Sequence, residues 1–144
     1  MTPVKLQEEQ LADVAKLESE NFSEPWSLSS LQLLLSDMAV GYGLCENGRV
    51  VAYGSLLYAP DEGQILNLAV DAAFRKKGYA CAILSALEAD AKEHGAKALT
   101  LEVRASNLPA IKLYEKNGFS AVGKRPNFYR APTEDALLMK KELN

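Results

Sequence analysis

The segment I-L-N-L-A-V-D-A-A-F-R-K-K-G-Y-A-C-A-I-L, Ile65 to Leu84, decides how this chain is read. It joins an apolar strand, Gln64 to Val70, to a helix from Gly78 to His94. That helix places Ala80, Ile83, Leu84, Leu87 and Ala91 on one stripe and is closed by Gly95. Three cations, Arg75, Lys76 and Lys77, stand at its start. A helix N-terminus carries partial positive charge, so each opposes the dipole by about 0.3–1 kcal/mol if unscreened. A bound anion removes the conflict, because free backbone N–H groups, the dipole and the cations then act together. Gly78 lets the backbone approach such a ligand, and Ala80 keeps the next turn narrow. A solvated basic loop with a turn glycine is the competing reading. The segment has neither the G-K-[ST] of a Walker A loop nor a G-x-G-x-x-G, which counts against nucleotide hydrolysis and hydride transfer.

Upstream, Val4 to Leu6 reads as a short strand and Glu8 to Asn21 as an amphipathic helix through Leu11, Val14, Ala15 and Leu17. Ser27 is the expected N-cap of a second helix through Leu28, Leu31, Leu34 and Leu35. Met38 to Cys45 and Val50 to Tyr58 form a hairpin around Asn47-Gly48. Downstream, Lys97 to Arg104 alternates, with Leu99, Leu101 and Val103 on one face and Thr100, Glu102 and Arg104 on the other. Asn107 and Pro109 start a helix that Gly118 ends. Phe119 to Gly123 and Ala136 to Lys140 read as closing strands around a Pro/Asn/Tyr-rich loop. The order predicts a mixed α/β layer protein, with 1–144 as one domain.

The composition narrows the class. The 144 residues are 48% hydrophobic and 24% charged, as in one ordinary globular domain. The net charge of −3 conceals an asymmetry: residues 1–72 hold 3 Lys/Arg against 11 Asp/Glu, residues 73–144 hold 13 against 8. The longest uncharged run, Pro25 to Ser36, is twelve residues, short of the roughly 18–20 a membrane helix needs. No signal-peptide pattern is visible, so a cytoplasmic address is expected. Two separated cysteines and one histidine predict no metal site and no disulfide framework.

R-K-K-G-Y-A resembles the [Q/R]-x-x-G-x-[G/A] signature of the Gcn5-related N-acetyltransferases (GNAT). N-L-A-V before it and L-Y-E-K-N-G-F after it extend the likeness. E-N-F-S-E-P-W-S at Glu20 to Ser27, L-E-V-R-A-S-N at Leu101 to Asn107 and E-D-A-L-L-M at Glu134 to Met139 make it similar to the RimI type, the ribosomal-protein-alanine N-acetyltransferases. The resemblance runs essentially end to end. It implies a mixed central sheet of about seven strands, helices on both faces and splayed central strands. It also implies acetyl-CoA as cosubstrate, its pantetheine arm on backbone at Leu68, Ala69 and Val70. The pyrophosphate would lie on Lys76, Lys77, Gly78, Tyr79, Ala80 and Cys81, with Asn107 as a further cofactor contact.

Acetyl transfer to an amine poses two proton problems. A protein α-amino group has a pKa near ~8 and must be neutral to attack, and the departing thiolate needs a proton. Glu102, on the polar face of its strand, reads by itself as a solvated carboxylate; the resemblance makes it the base. Tyr114 could be a packing tyrosine; the resemblance makes it the acid. The implied reaction is direct attack in a ternary complex by the N-terminal alanine amine of a small-subunit ribosomal protein. Another acceptor amine, or a non-catalytic acyl-CoA-binding module, is the alternative; binding alone would require neither Glu102 nor Tyr114. Trp26, within a Phe22, Pro25 and Trp26 cluster that also suits a hydrophobic staple, and Tyr129 are minor substrate-site candidates. R-P-N-F-Y, Arg125 to Tyr129, departs from the R-R-N-Y-Y commoner in that type, which bears on acceptor identity. His94 suits a helix C-terminus rather than catalysis. No nucleic-acid or membrane partner is expected, and the oligomeric state stays open.

Overall fold

A computed structural model describes residues 2–143 of the protein. Seven strands form one sheet: β1 (Val4–Lys5), β2 (Ala39–Glu46), β3 (Arg49–Ala59), β4 (Glu62–Val70), β5 (Ala98–Arg104), β6 (Ser120–Tyr129) and β7 (Glu134–Glu142). Their order is β1-β2-β3-β4-β5-β7-β6. Every neighbouring pair is antiparallel except β4 and β5. The helices are α1 (Leu11–Asn21), α2 (Leu28–Leu31, continued as a 3-10 turn to Leu35), α3 (Tyr79–Glu93) and α4 (Leu108–Lys116).

Two apolar layers hold these elements. One buries Leu11, Val14, Leu17, Leu31 and Leu34 of α1 and α2 against one sheet face. The other buries Ile83, Leu84, Leu87 and Ala91 of α3, with Tyr114 of α4, against the opposite face. Helices therefore cover both sides, and β3 is buried from Val50 to Leu56. A sheet covered twice loses the polar-apolar alternation of a half-buried strand. The meander turns where Asn47 (φ 53°) and Gly48 (φ 77°) both take positive φ, as a two-residue hairpin requires. Ser27 caps α2 by accepting from Ser30 N at 3.1 Å.

The closing hairpin is longer than the sequence suggests. β6 runs on through Arg125-Pro126-Asn127-Phe128 to Tyr129, where a loop is expected. It is the outermost strand, so Pro126 interrupts no ladder on its free side. The register breaks between Arg125 and Tyr129, with Asn127 at φ 53°, and pairing resumes at Tyr129 opposite Glu134. No helix among the described residues is long and apolar enough to cross a membrane.

Gly54, in the middle of β3, has no room for a side chain. A Cβ there would lie 2.6 Å from Ile83 Cγ2 and 3.1 Å from Leu87 Cδ1. Gly54→Ala is expected to destabilise the fold by about 1–3 kcal/mol through overpacking against α3. A urea midpoint equal to wild type would contradict this.

Candidate active site

The site begins where two strands part. The parallel β4–β5 ladder pairs Glu62 to Ile65 with Ala98 to Leu101 and goes no further. On its other side β4 carries a bulge: Leu56 opposes Ile65, whereas Gly54 opposes Leu68. The extra residue bends β4 away from β5. Between the diverging ends lies a cleft of about 480 Å³, lined by Trp26, Leu68, Glu102, Asn107, Tyr114 and Tyr129 among others. Six residues drawn from the sequence motifs thus meet at one concavity.

The ladder phase decides which peptide groups of β4 remain open. Asp71 N donates to Val51 O at 2.7 Å. Stepping by two, the Ala69–Tyr53 pair exchanges hydrogen bonds, while Leu68 and Val70 turn their peptide groups toward β5. Ala69, expected as a backbone contact, is therefore committed to β3, and its methyl is buried. Val70 O accepts a bond from Arg75 Nε at 3.3 Å, leaving the Val70 N–H free of that contact.

Val70, the last residue of β4, and the Lys76–Cys81 turn beyond that strand lie outside the cleft lining. Lys76 (φ 62°) and Gly78 (φ 81°) take left-handed conformations, and nothing lies within 4 Å of a Cβ built on Gly78. The first internal bond of α3 runs from Ala82 N to Gly78 O, 3.1 Å. The N–H groups of Tyr79, Ala80 and Cys81 thus stand outside the helix's own ladder, as an anion site needs. The three cations do not act alike. The Arg75 guanidinium donates to Asn21 Oδ1 at 2.7 Å and to Val70 O, so it ties α1 to β4. Lys77 Nζ lies 5.3 Å from the Phe74 ring centroid. Tyr79 gives its hydroxyl hydrogen to Glu46, which raises its pKa, so its contribution to the turn is its N–H.

Glu102 and Tyr114 reach the cleft from β5 and α4. Glu102 Oε1 accepts from Gln64 Nε2 at 3.2 Å. Oε2 is buried and lies 3.2 Å from Arg125 Nε, an ion pair without hydrogen-bond alignment. Tyr114 is 7% exposed, with its ring edge-on to Phe119 at 5.7 Å. Burial foremost, then the neighbouring Tyr129, pushes its phenol well above the usual range. It therefore carries its proton at neutral pH. Tyr129 is pushed up to about 12 by burial and then by the Glu102 charge, with Arg104 opposing. Asn107 caps α4 through Oδ1, which accepts from Ala110 N at 3.3 Å, while its residue also lines the cleft.

Two residues that frame the cleft were not singled out from the sequence. Arg104 donates to Arg130 O (2.8 Å), Pro132 O (2.9 Å) and Ser23 Oγ (3.1 Å), and pairs with Glu134 at 3.3 Å. It locks β5, the α1–α2 loop and the β6–β7 turn into one wall. Glu18 is fully buried and accepts from Trp26 N and Asn67 Nδ2, each at 2.8 Å, and from the Tyr53 hydroxyl. Asn67 sits at the β4 bulge and Trp26 in the α1–α2 loop, so one carboxyl fixes both rims. The available signal was an acid on the apolar stripe of Leu11 and Val14, seven and four residues after them. His94 ends α3, with Nδ1 3.0 Å from Asp90 O and its ring stacked on Tyr58. No cluster of three or more metal-ligating side chains occurs among the described residues.

A parted β4–β5 pair followed by an open-ended helix defines a class, and comparison with known proteins gives the same one. Residues 11–119 match the Acetyltransferase (GNAT) family, and the chain belongs to it. The [ribosomal protein bS18]-alanine N-acetyltransferase of Escherichia coli (strain K12) is 34% identical over 127 residues, 85% of this chain and 84% of its own. The crystal structure of the ribosomal-protein-S18-alanine N-acetyltransferase from Escherichia coli superposes with a TM-score of 0.91 at 30% identity, covering 99% of this chain and 94% of that one. A GNAT family acetyltransferase from Elizabethkingia anophelis, solved with acetyl-CoA bound, shares the fold with a TM-score of 0.69 at 24% identity over 77% of this chain and 88% of its own.

Proposed function

We propose that this protein transfers the acetyl group of acetyl-CoA to the N-terminal alanine amine of a small-subunit ribosomal protein, bS18 by its likeness to the relatives above. The observation that carries the reading is the cleft between the parted strands, with Glu102 and Tyr114 on its walls and the open N-terminus of α3 beyond the end of β4. Acetyl-CoA supplies a thioester acyl group and a pyrophosphate. The N–H groups of Gly78, Tyr79, Ala80 and Cys81, with Lys76 and Lys77, receive the pyrophosphate. Leu68 and Val70 add a third β-like edge for the pantetheine amides, and the Asn107 side chain borders the same path.

Glu102 accepts a proton from the acceptor ammonium, directly or through one water, leaving a neutral amine that adds to the thioester carbonyl and expels the thiolate. Tyr114 gives its proton to the departing sulfur and recovers one from the nitrogen of the new amide, and its raised pKa keeps the proton in place until it is needed. Trp26 and Tyr129 border the acceptor side of the cleft. The test is transfer from labelled acetyl-CoA to a panel of peptides beginning Ala, Ser, Met and Gly, alongside polyamines and lysine peptides. Preference for the alanine-initiated bS18 peptide is expected. Activity confined to free polyamines would overturn the reading.

A further inference from the structure

We propose that Arg125 is a positioning residue that occupies the acceptor's ammonium subsite in the free enzyme, and that the incoming α-ammonium displaces it from Glu102 Oε2. The inference deepens the acetyltransferase reading and rests on it. Four observations lead to it. Gln64 holds Glu102 through Oε1, so the carboxylate is fixed and presents its second oxygen separately. That second oxygen is buried yet makes no hydrogen bond among the described residues, which leaves a desolvated acceptor without an aligned donor. Its only ion-pair contact among them is Arg125 Nε at 3.2 Å. The Arg125 side chain is itself 59% exposed, against 14% for Glu102, so the guanidinium covers the oxygen from the solvent side.

Such a cover is easily moved. Beyond Glu102, the Arg125 guanidinium contacts the Phe128 ring at 5.6 Å, a weak hold on an exposed cation. The strand beneath it is irregular from Arg125 to Tyr129. When the guanidinium swings outward, Oε2 is left without a partner on a residue that lines the cleft. A primary ammonium is the group that satisfies it: it carries the same charge, is smaller, and aims any of three N–H bonds along the oxygen's lone pair. Arg125 then spares the free enzyme an unpaired buried charge, and its departure exposes the oxygen that receives the proton. The occupant is thereby restricted to a cationic amine, because a neutral ligand would strand the carboxylate.

Equilibrium binding of an alanine-initiated peptide, measured by calorimetry with CoA present, tests this. Arg125→Ala is expected to tighten peptide binding about three- to tenfold, by removing the competitor, with CoA affinity unchanged. Arg125→Lys, which keeps a cation, is expected to return affinity toward wild type. Lys124→Ala, which removes a neighbouring charge that touches nothing in the cleft, is expected to change neither. In a Glu102→Gln background the Arg125→Ala gain is expected to vanish. Unchanged or weaker binding by Arg125→Ala overturns the proposal, as does a gain that persists without the Glu102 charge, since that would be long-range repulsion. Full kcat in Glu102→Gln would instead remove the base assignment, a separate outcome from the displacement read by binding.

Discussion

Tyr114→Phe is expected to lower kcat by about 10²-fold or more while leaving the affinity for acetyl-CoA within about twofold of wild type. The substitution removes one oxygen and keeps the ring, so the edge contact with Phe119 and the burial of α4 against the sheet survive. The hydroxyl makes no hydrogen bond among the described residues, so its loss strands no partner and the melting temperature is expected to hold. What is lost is the proton for the departing sulfur. The sign of the pKa shift sharpens the test. Burial disfavours the phenolate, so the acid form persists above the ordinary phenol value of 10.0, and no descending limb from Tyr114 is expected near that pH in wild type. Steady-state kinetics over a pH series, with calorimetry for acetyl-CoA, measure both effects. A Phe variant with wild-type kcat would remove Tyr114 from the mechanism.

Glu18→Ala is expected to cost about 3–5 kcal/mol, a larger stability loss than that of Gly54→Ala. Three donors lose their acceptor together: the Trp26 N–H, the Asn67 amide and the Tyr53 hydroxyl. All three converge on a fully buried position that alanine would leave as a polar-lined void. Burial foremost, then the Glu18 charge, raises the Tyr53 pKa, so Tyr53 remains the donor at any assay pH. For a chain of this size a loss of that order lowers Tm by roughly 10 °C. Tyr53→Phe removes one of the three bonds and is expected to cost about 1–2 kcal/mol. Because Trp26 and Asn67 both line the cleft, Glu18→Ala should also raise KM for the acceptor more than for acetyl-CoA. Thermal unfolding of Glu18→Ala within about 2 °C of wild type would show that the network contributes little.

Much of the architecture was legible before any tertiary contact was known. Element order follows from periodicity, and turn and cap residues marked most boundaries. Asn47-Gly48, Ser27 and Asn107 each occupy the conformation their chemistry predicts. Glu102 and Tyr114, twelve residues apart, reach one cleft because a strand, a tight turn and a helix reverse the chain between them. The stretch from Arg125 to Phe128 was not legible as strand. Pro126 argues against pairing locally, and only the position of β6 at the sheet's edge makes it tolerable. The cation triad was half legible: its place at a helix start is local, but the diversion of Arg75 to Asn21 depends on α1 lying beside β4.

The sequence alone determined the layer class and the anion-ready turn before α3, while its resemblance to the acetyltransferases marked the motif residues of the cleft. The first two depend on interactions within a few positions along the chain, where side-chain type and spacing suffice. The tertiary structure decided which groups are free to act. Ladder phase between β3 and β4 commits Ala69 and opens Leu68 and Val70. Contacts across 49 residues from Asn67 to Glu18, and across 81 from Arg104 to Ser23, set the rims of the cleft. The order β4-β5-β7-β6 brings Arg125 over Glu102. Such partners are chosen by strand order and register, which no local pattern encodes, because the energy that selects them is gained only when distant segments are buried together.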